Sequence, residues 1–198
     1  HQRRQWSFLL FSLSAFSAAA IALLDLLMVQ AASPQEYSQL LRLLLAFAAL
    51  FIPCMLGFLW LDLRAGWLSL AVIAVVLRLV SLVANFVGGE NSSFQTIVEL
   101  RQVQAWGIDA FVLPVGVPNP MIMVGQASIF FTMAFIASVV WTVMRGTDAA
   151  KKRRALIVCG SVSIAIVCSV VMMWLLVLGK LPIPLAVGII LQAALPFF

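Results

Sequence analysis

Six apolar stretches, each close to the length of a membrane-crossing helix, dominate this chain. They are Trp6–Val29, Leu40–Leu61, Trp67–Val87, Met121–Met144, Ala155–Leu178 and Leu181–Phe198. A helix needs roughly 20 consecutive apolar residues to cross the hydrocarbon core. A soluble domain with about 25% charged residues cannot hide six such stretches, and this chain is 10% charged with a mean hydropathy of +1.14. The expected fold class is therefore all-α. It is a polytopic transmembrane bundle of six helices forming a single domain over residues 1–198, with one structured extracytoplasmic loop over residues 88–120.

Orientation follows from the basic residues. With the start of the chain in the cytoplasm, the cytoplasmic segments hold Arg3, Arg4, Arg64, Arg145, Lys151, Lys152, Arg153 and Arg154. The outer segments then hold Arg42, Arg101 and Lys180. Eight against three satisfies the positive-inside rule and sets both ends in the cytoplasm, as expected for a bacterial inner-membrane protein. This pattern accounts for the net charge of +5 without nucleic acid. Topology and contact with anionic lipid account for the run Lys151–Arg154. The start without methionine and the apolar end at Phe198 lead us to expect a longer parent protein. No signal-peptide pattern is present.

Several chemistries are excluded for the chain acting alone. His1 is the only histidine, so bis-histidine haem and most histidine-based metal sites are out. Cys54, Cys159 and Cys168 lie in apolar runs without a CxxC pattern, which argues against disulfide and metal roles. There is no P-loop and no Ser/His/Asp set. The lysine a retinal protein needs deep in its last helix is absent, because Lys180 falls in a short loop. No cofactor, metal or catalytic residue is expected, and no enzymatic activity of this segment.

The twelfth basic residue, Arg78, stands alone inside the third span. A charge at that depth costs at least a few kcal/mol, so it is paired or functional. On a helix Ala71, Ala74, Arg78, Ser81 and Asn85 share one face, small and polar, which should turn inward. In the first span Ser7, Ser14, Ala18, Ile21 and Asp25 share a face. Asp25 lies roughly 7–8 Å and Arg78 roughly 15 Å from the outer helix ends at 1.5 Å per residue. A snorkelling arginine would let the two meet, as a switchable pair or as a static one that fixes helix register. The fourth span presents Gly125, Ser128 and Thr132 on one face, with Gln126 beside it, after prolines and a capping Asn119 that suit a helix start. One reading is helix geometry alone. The other places Asn119 and Gln126 with Arg78 and Asn85 around an outward-facing pocket. The hypothesised ligand or switch set is Arg78, Asp25, Asn85, Asn119 and Gln126.

The long loop carries Phe94, Ile97, Leu100, Val103, Trp106 and Phe111 among polar residues. A loop that keeps such residues packs on helix ends or lipid. Gln102–Ala105 and Ile108–Leu113 flank Trp106-Gly107 as a small hairpin. Pro114, Gly116, Pro118 and Pro120 mark an irregular return to the membrane. Glu99 and Arg101 are expected in solvent, and Asn91-Ser92-Ser93 matches a glycosylation sequon. No internal repeat supports an inverted-repeat transporter.

The chain resembles the multi-pass N-terminal membrane sensor region of proteobacterial sensor histidine kinases, often followed by PAS domains. The resemblance rests on the basic start Gln2-Arg3-Arg4-Gln5-Trp6, on Asp25, and on Leu77-Arg78-Leu79 followed by Asn85-Phe86. It rests further on Phe94, Ile97, Leu100-Arg101 and Val103 leading to Val115-Gly116-Val117-Pro118-Asn119-Pro120 and Gly125-Gln126. Trp106 and its neighbours depart from that pattern. The resemblance implies a helix before His1 and a cytoplasmic signalling region after Phe198. The expected function is a signal-input domain of a two-component system that relays an extracytoplasmic or intramembrane cue. Its partners would be the lipid bilayer, a small or lipophilic ligand, and a homodimer or larger membrane complex. The alternative is a structural or accessory subunit of a larger membrane protein complex.

Overall fold

A computed structural model describes residues 2–87, 90–105 and 108–177, with the side chains of residues 4, 103–105, 108–111, 169 and 172–177 excepted. The expected sixth span, Leu181–Phe198, and the hairpin tip Trp106-Gly107 lie outside the described residues. In order, the elements are α1 (Gln2–Val29), α2 (Pro34–Leu63), α3 (Leu68–Val87), β1 (Phe94–Ala105), β2 (Ile108–Pro118), α4 (Ile122–Met144) and α5 (Ala149–Val177). The chain is mostly helical, and α1 to α4 are long and apolar enough to cross a membrane.

The helix ends are set by local chemistry. α2 starts at Pro34, six residues before the expected Leu40, because a capping box extends it. Ser33 Oγ accepts from Glu36 N at 3.2 Å, and Glu36 Oε2 accepts from Ala32 N at 2.9 Å, with Pro34 at the first helical position. α5 likewise begins at Ala149 rather than Ala155, since Asp148 Oδ1 accepts from Lys151 N at 3.1 Å. α2 ends on Arg64 in the left-handed region (φ 45°), followed by Gly66 at φ 95°, where a glycine avoids the penalty a Cβ would bring. Trp67 N then donates to Ser138 Oγ at 3.0 Å, tying the start of α3 to α4.

The helices pack in chain order: α1 on α2, α2 on α3, α3 on α4, and α4 on α5. Leu56, Leu59, Ala74, Phe135, Val139 and Cys159 belong to one apolar core shared by α2 to α5. A second, smaller core joins α1, α2 and the hairpin through Met28, Ala31, Tyr37, Leu41 and Ile97. The inward face of α3 is Ala71, Ala74, Arg78, Ser81 and Asn85, as its spacing requires. The inward face of α1 is turned from the expected one. Ser14, Ser17, Leu24 and Met28 are buried, while Ala18 and Asp25 flank the seam. Ser14 and Ser17 donate to Phe11 O and Leu13 O, so their hydroxyls are buried in the seam without needing a partner on another helix.

The long loop is an antiparallel hairpin in which Phe94 pairs with Pro118, Ile97 with Gly116, Leu100 with Pro114 and Ala105 with Ile108. The irregular return expected from Pro114, Gly116 and Pro118 is thus a strand. Both strands of a two-stranded sheet are edges, where proline is tolerated. Phe94, Ile97 and Leu100 repeat every three residues, whereas a strand repeats every two. Irregularities between Phe94 and Thr96 and between Ile97 and Glu99 each insert an extra residue. That brings the three apolar side chains onto one face, which packs on the second core. Glu99 and Arg101 are exposed, as expected.

Gly116 lies opposite Ile97, and a Cβ there would fall against Thr96 O and 2.9 Å from Ile97 Cα. Gly116→Ala should therefore force the strands apart and destabilise the hairpin by about 1–3 kcal/mol. Faster amide hydrogen exchange across Thr96–Leu100, with α5 unchanged, is the expected result.

Candidate functional site

Arg78 sits in the seam between α3 and α4. It is 8% exposed, and its enclosed Nε has no hydrogen-bond partner. One turn below, Ser128 Oγ donates to Ala74 O at 2.8 Å, and Thr132 Oγ1 donates to Ser128 O at 2.9 Å. The first bond ties α4 to the backbone of α3, the second lies within α4, and together they satisfy both hydroxyls. Gly125 of α4 faces the guanidinium at ordinary contact distance. A Cβ on it would lie 3.7 Å from Arg78 Nη1 and 3.4 Å from Ser81 Oγ. The seam is built of small residues, as close helix pairs in membranes are.

Asn85 lies two turns further along the same face of α3, with 0% exposure. Its Nδ2 donates to Arg42 O at 2.9 Å, and its Oδ1 accepts from Ser92 N at 3.2 Å. Beyond it, residues 90–93 fold into a polar plug. Asn91 Oδ1 accepts from Ser93 N at 2.9 Å and Phe94 N at 2.7 Å, and its Nδ2 donates to Ser38 Oγ at 3.2 Å. Asn119 Nδ2 donates to Asn91 O at 2.9 Å, its Oδ1 accepts from Met121 N at 3.0 Å, and its N donates to Ser93 O at 2.9 Å. Glu90 joins both sides, with its carbonyl accepting from Arg42 Nε and its Oε2 accepting from Ile97 N. α2, α3, the hairpin and the start of α4 are thereby bonded into one unit.

Of the five expected residues, the structure brings Arg78 and Asn85 onto one buried face and sets Asn119 in the plug that Asn85 also joins. The N-cap position of α4 is Met121, without a side-chain cap bond; Asn119, expected as the cap, lies two residues earlier and accepts from Met121 N on its Oδ1 and from Ile122 N on its carbonyl. Gln126 is half-buried beside Gly125. Asp25 is not brought to Arg78. α1 lies on α2, and no salt bridge reaches Arg78 among the described residues. Asp25 is half-buried and acts electrostatically on Tyr37 of α2. The spacing gave each residue its depth but not which helix would be its neighbour.

Sequence reasoning missed Ser38, Arg42, Glu90 and Asn91 as members of the plug. Arg42 is counted with the outer-segment charges, yet it falls within the expected span Leu40–Leu61 and lies inside α2. Asn91-Ser92-Ser93 reads as a sequon, but all three residues are buried and the Asn91 amide is engaged, so it has no room for a glycan in the folded protein. The available signal was the asparagine itself, whose side chain readily closes a turn on the backbone two residues ahead. At the other end of the bundle Arg154 pairs with Asp62 at 3.0 Å, linking α5 to α2.

Compared with known proteins, the chain matches no family model, no curated protein and no solved structure.

Proposed function

We propose that this chain is the membrane-embedded signal-input region of a bacterial sensor protein of the histidine-kinase type. In this reading it lies in the inner membrane with both ends cytoplasmic. The observation that carries it is the buried Arg78 with an unpartnered Nε, set in a seam of small residues beneath a polar plug. A static structural cation would be paired, because an unpaired buried donor costs free energy and a charge in the membrane costs more. An unpaired one suits a site completed by another molecule or by a second helix arrangement. The plug bonds the outer hairpin to α2, α3 and α4, so a cue acting on either the hairpin or the seam shifts the same unit. Such a cue must bind one arrangement better than the other.

The gene beyond Phe198 tests the class: an in-frame dimerisation helix and kinase region is expected, and an immediate stop codon would overturn the reading in favour of an accessory subunit. Where the region is present, Arg78→Gln is expected to fix autophosphorylation in isolated membranes at a level that no longer responds to growth conditions. A variant that responds like the parent at equal expression would remove Arg78 from the switch.

A further inference from the structure

α4 and α5 diverge to leave an open cleft of about 380 Å³, lined by Met133, Val140 and Met144 of α4 and by Leu156, Gly160 and Ser163 of α5. Its volume falls within the roughly 300–1,000 Å³ range of small-ligand clefts, and its walls are almost wholly apolar. Gly160 faces open space in the cleft, since a Cβ there would meet nothing within 4 Å. The cleft runs along the helix pair to the α4–α5 turn, where the chemistry changes sign. Arg145 stacks over Trp141, a lining residue, at 4.3 Å from the ring centroid, so a guanidinium stands on the rim. Lys152 and Arg153 precede Leu156 by four and three residues, placing them on the lining side of α5 one turn nearer the rim. The local acids are committed elsewhere, Asp148 to Lys151 N and Asp62 to Arg154.

We infer that this cleft is a binding site for an anionic glycerophospholipid, with one acyl chain in the α4–α5 cleft and the headgroup phosphate on Arg145 and Lys152. An apolar trough that opens onto a cluster of cations matches the two ends of such a lipid and no water-soluble ligand. Basic pockets between membrane helices hold anionic headgroups in this way. The inference needs only that α4 and α5 lie in a bilayer, and it stands whether or not the chain is a sensor.

The test reconstitutes the full chain in nanodiscs of equal phosphatidylglycerol and phosphatidylcholine with the same acyl chains, then counts retained lipid by native mass spectrometry after detergent transfer. Phosphatidylglycerol is expected to be retained about tenfold over phosphatidylcholine, since each basic residue near the headgroups adds to anionic-lipid affinity. Arg145→Gln with Lys152→Gln should bring the two lipids to parity without moving the unfolding midpoint in phosphatidylcholine alone. Gly160→Leu, which fills the cleft, should abolish retention of both. Equal retention of the two lipids by the parent would overturn the site. So would unchanged phosphatidylglycerol preference in the double variant, or in a Gly160→Leu protein with a normal unfolding midpoint.

Discussion

Arg78→Leu is expected to make the bundle more stable, by about 3 kcal/mol on the insertion scale that separates a central arginine from a leucine. The sign is the informative part. A paired structural arginine would lose stability on removal, because its partner would be left buried and unsatisfied. Arg78 Nε has no hydrogen-bond partner, and its neighbours in the seam, Ser128 and Thr132, are bonded to backbone carbonyls without it. Leucine would meet Ala74 and Gly125 without orphaning any group that Nε now serves. Equilibrium unfolding in bicelles measures the change. A loss of more than about 1 kcal/mol would mean that the guanidinium is bonded in the membrane, since the loss of one ordinary hydrogen bond is of that size. Under the proposed function the same variant gains stability and loses response, the trade that a strained functional group imposes.

Asn91→Ala should have the opposite effect, destabilising the hairpin end of the bundle by about 2–4 kcal/mol, as one buried and one part-buried N–H group lose their acceptor. Asn91 Oδ1 is the common acceptor for Ser93 N and Phe94 N, and its Nδ2 holds Ser38 of α2. Without it the turn that feeds β1 loses its closing bonds, and the hairpin keeps the Arg42–Glu90 bond and the apolar contacts with Tyr37 and Leu41 as attachments to α2. Limited proteolysis in the hairpin and thermal unfolding of the purified protein measure the two consequences. Asn91→Asp retains the acceptor and should recover most of the loss, whereas an equal loss in both variants would show that the Ser38 contact carries the effect instead.

Some of the site was legible in the sequence because helical periodicity is a local property. Ala71, Ala74, Arg78, Ser81 and Asn85 share a face by spacing alone, and so do Gly125, Ser128 and Thr132. That these two faces meet is also favoured by the small residues on both. Nothing local placed Asp25, because α1 is satisfied internally through Ser14 and Ser17 and its neighbour is chosen by packing on α2. The three-residue repeat of Phe94, Ile97 and Leu100 was visible, but its meaning depended on two strand irregularities that only pairing with β2 creates.

The residues by themselves determined that long apolar stretches form helices, four of them among the described residues long and apolar enough to cross a membrane, and which face of α3 turns inward, since helix is the form that satisfies the backbone of such a stretch internally. Tertiary structure decided which charges meet and what caps the bundle. Hydrogen bonds between residues as distant as Asn85 and Arg42, or Asn119 and Asn91, depend on how the helices and the hairpin are brought together, and no short-range pattern encodes that. Helix packing sets α1, and Asp25 with it, on α2, and Arg78 Nε is left without a hydrogen-bond partner in the α3–α4 seam.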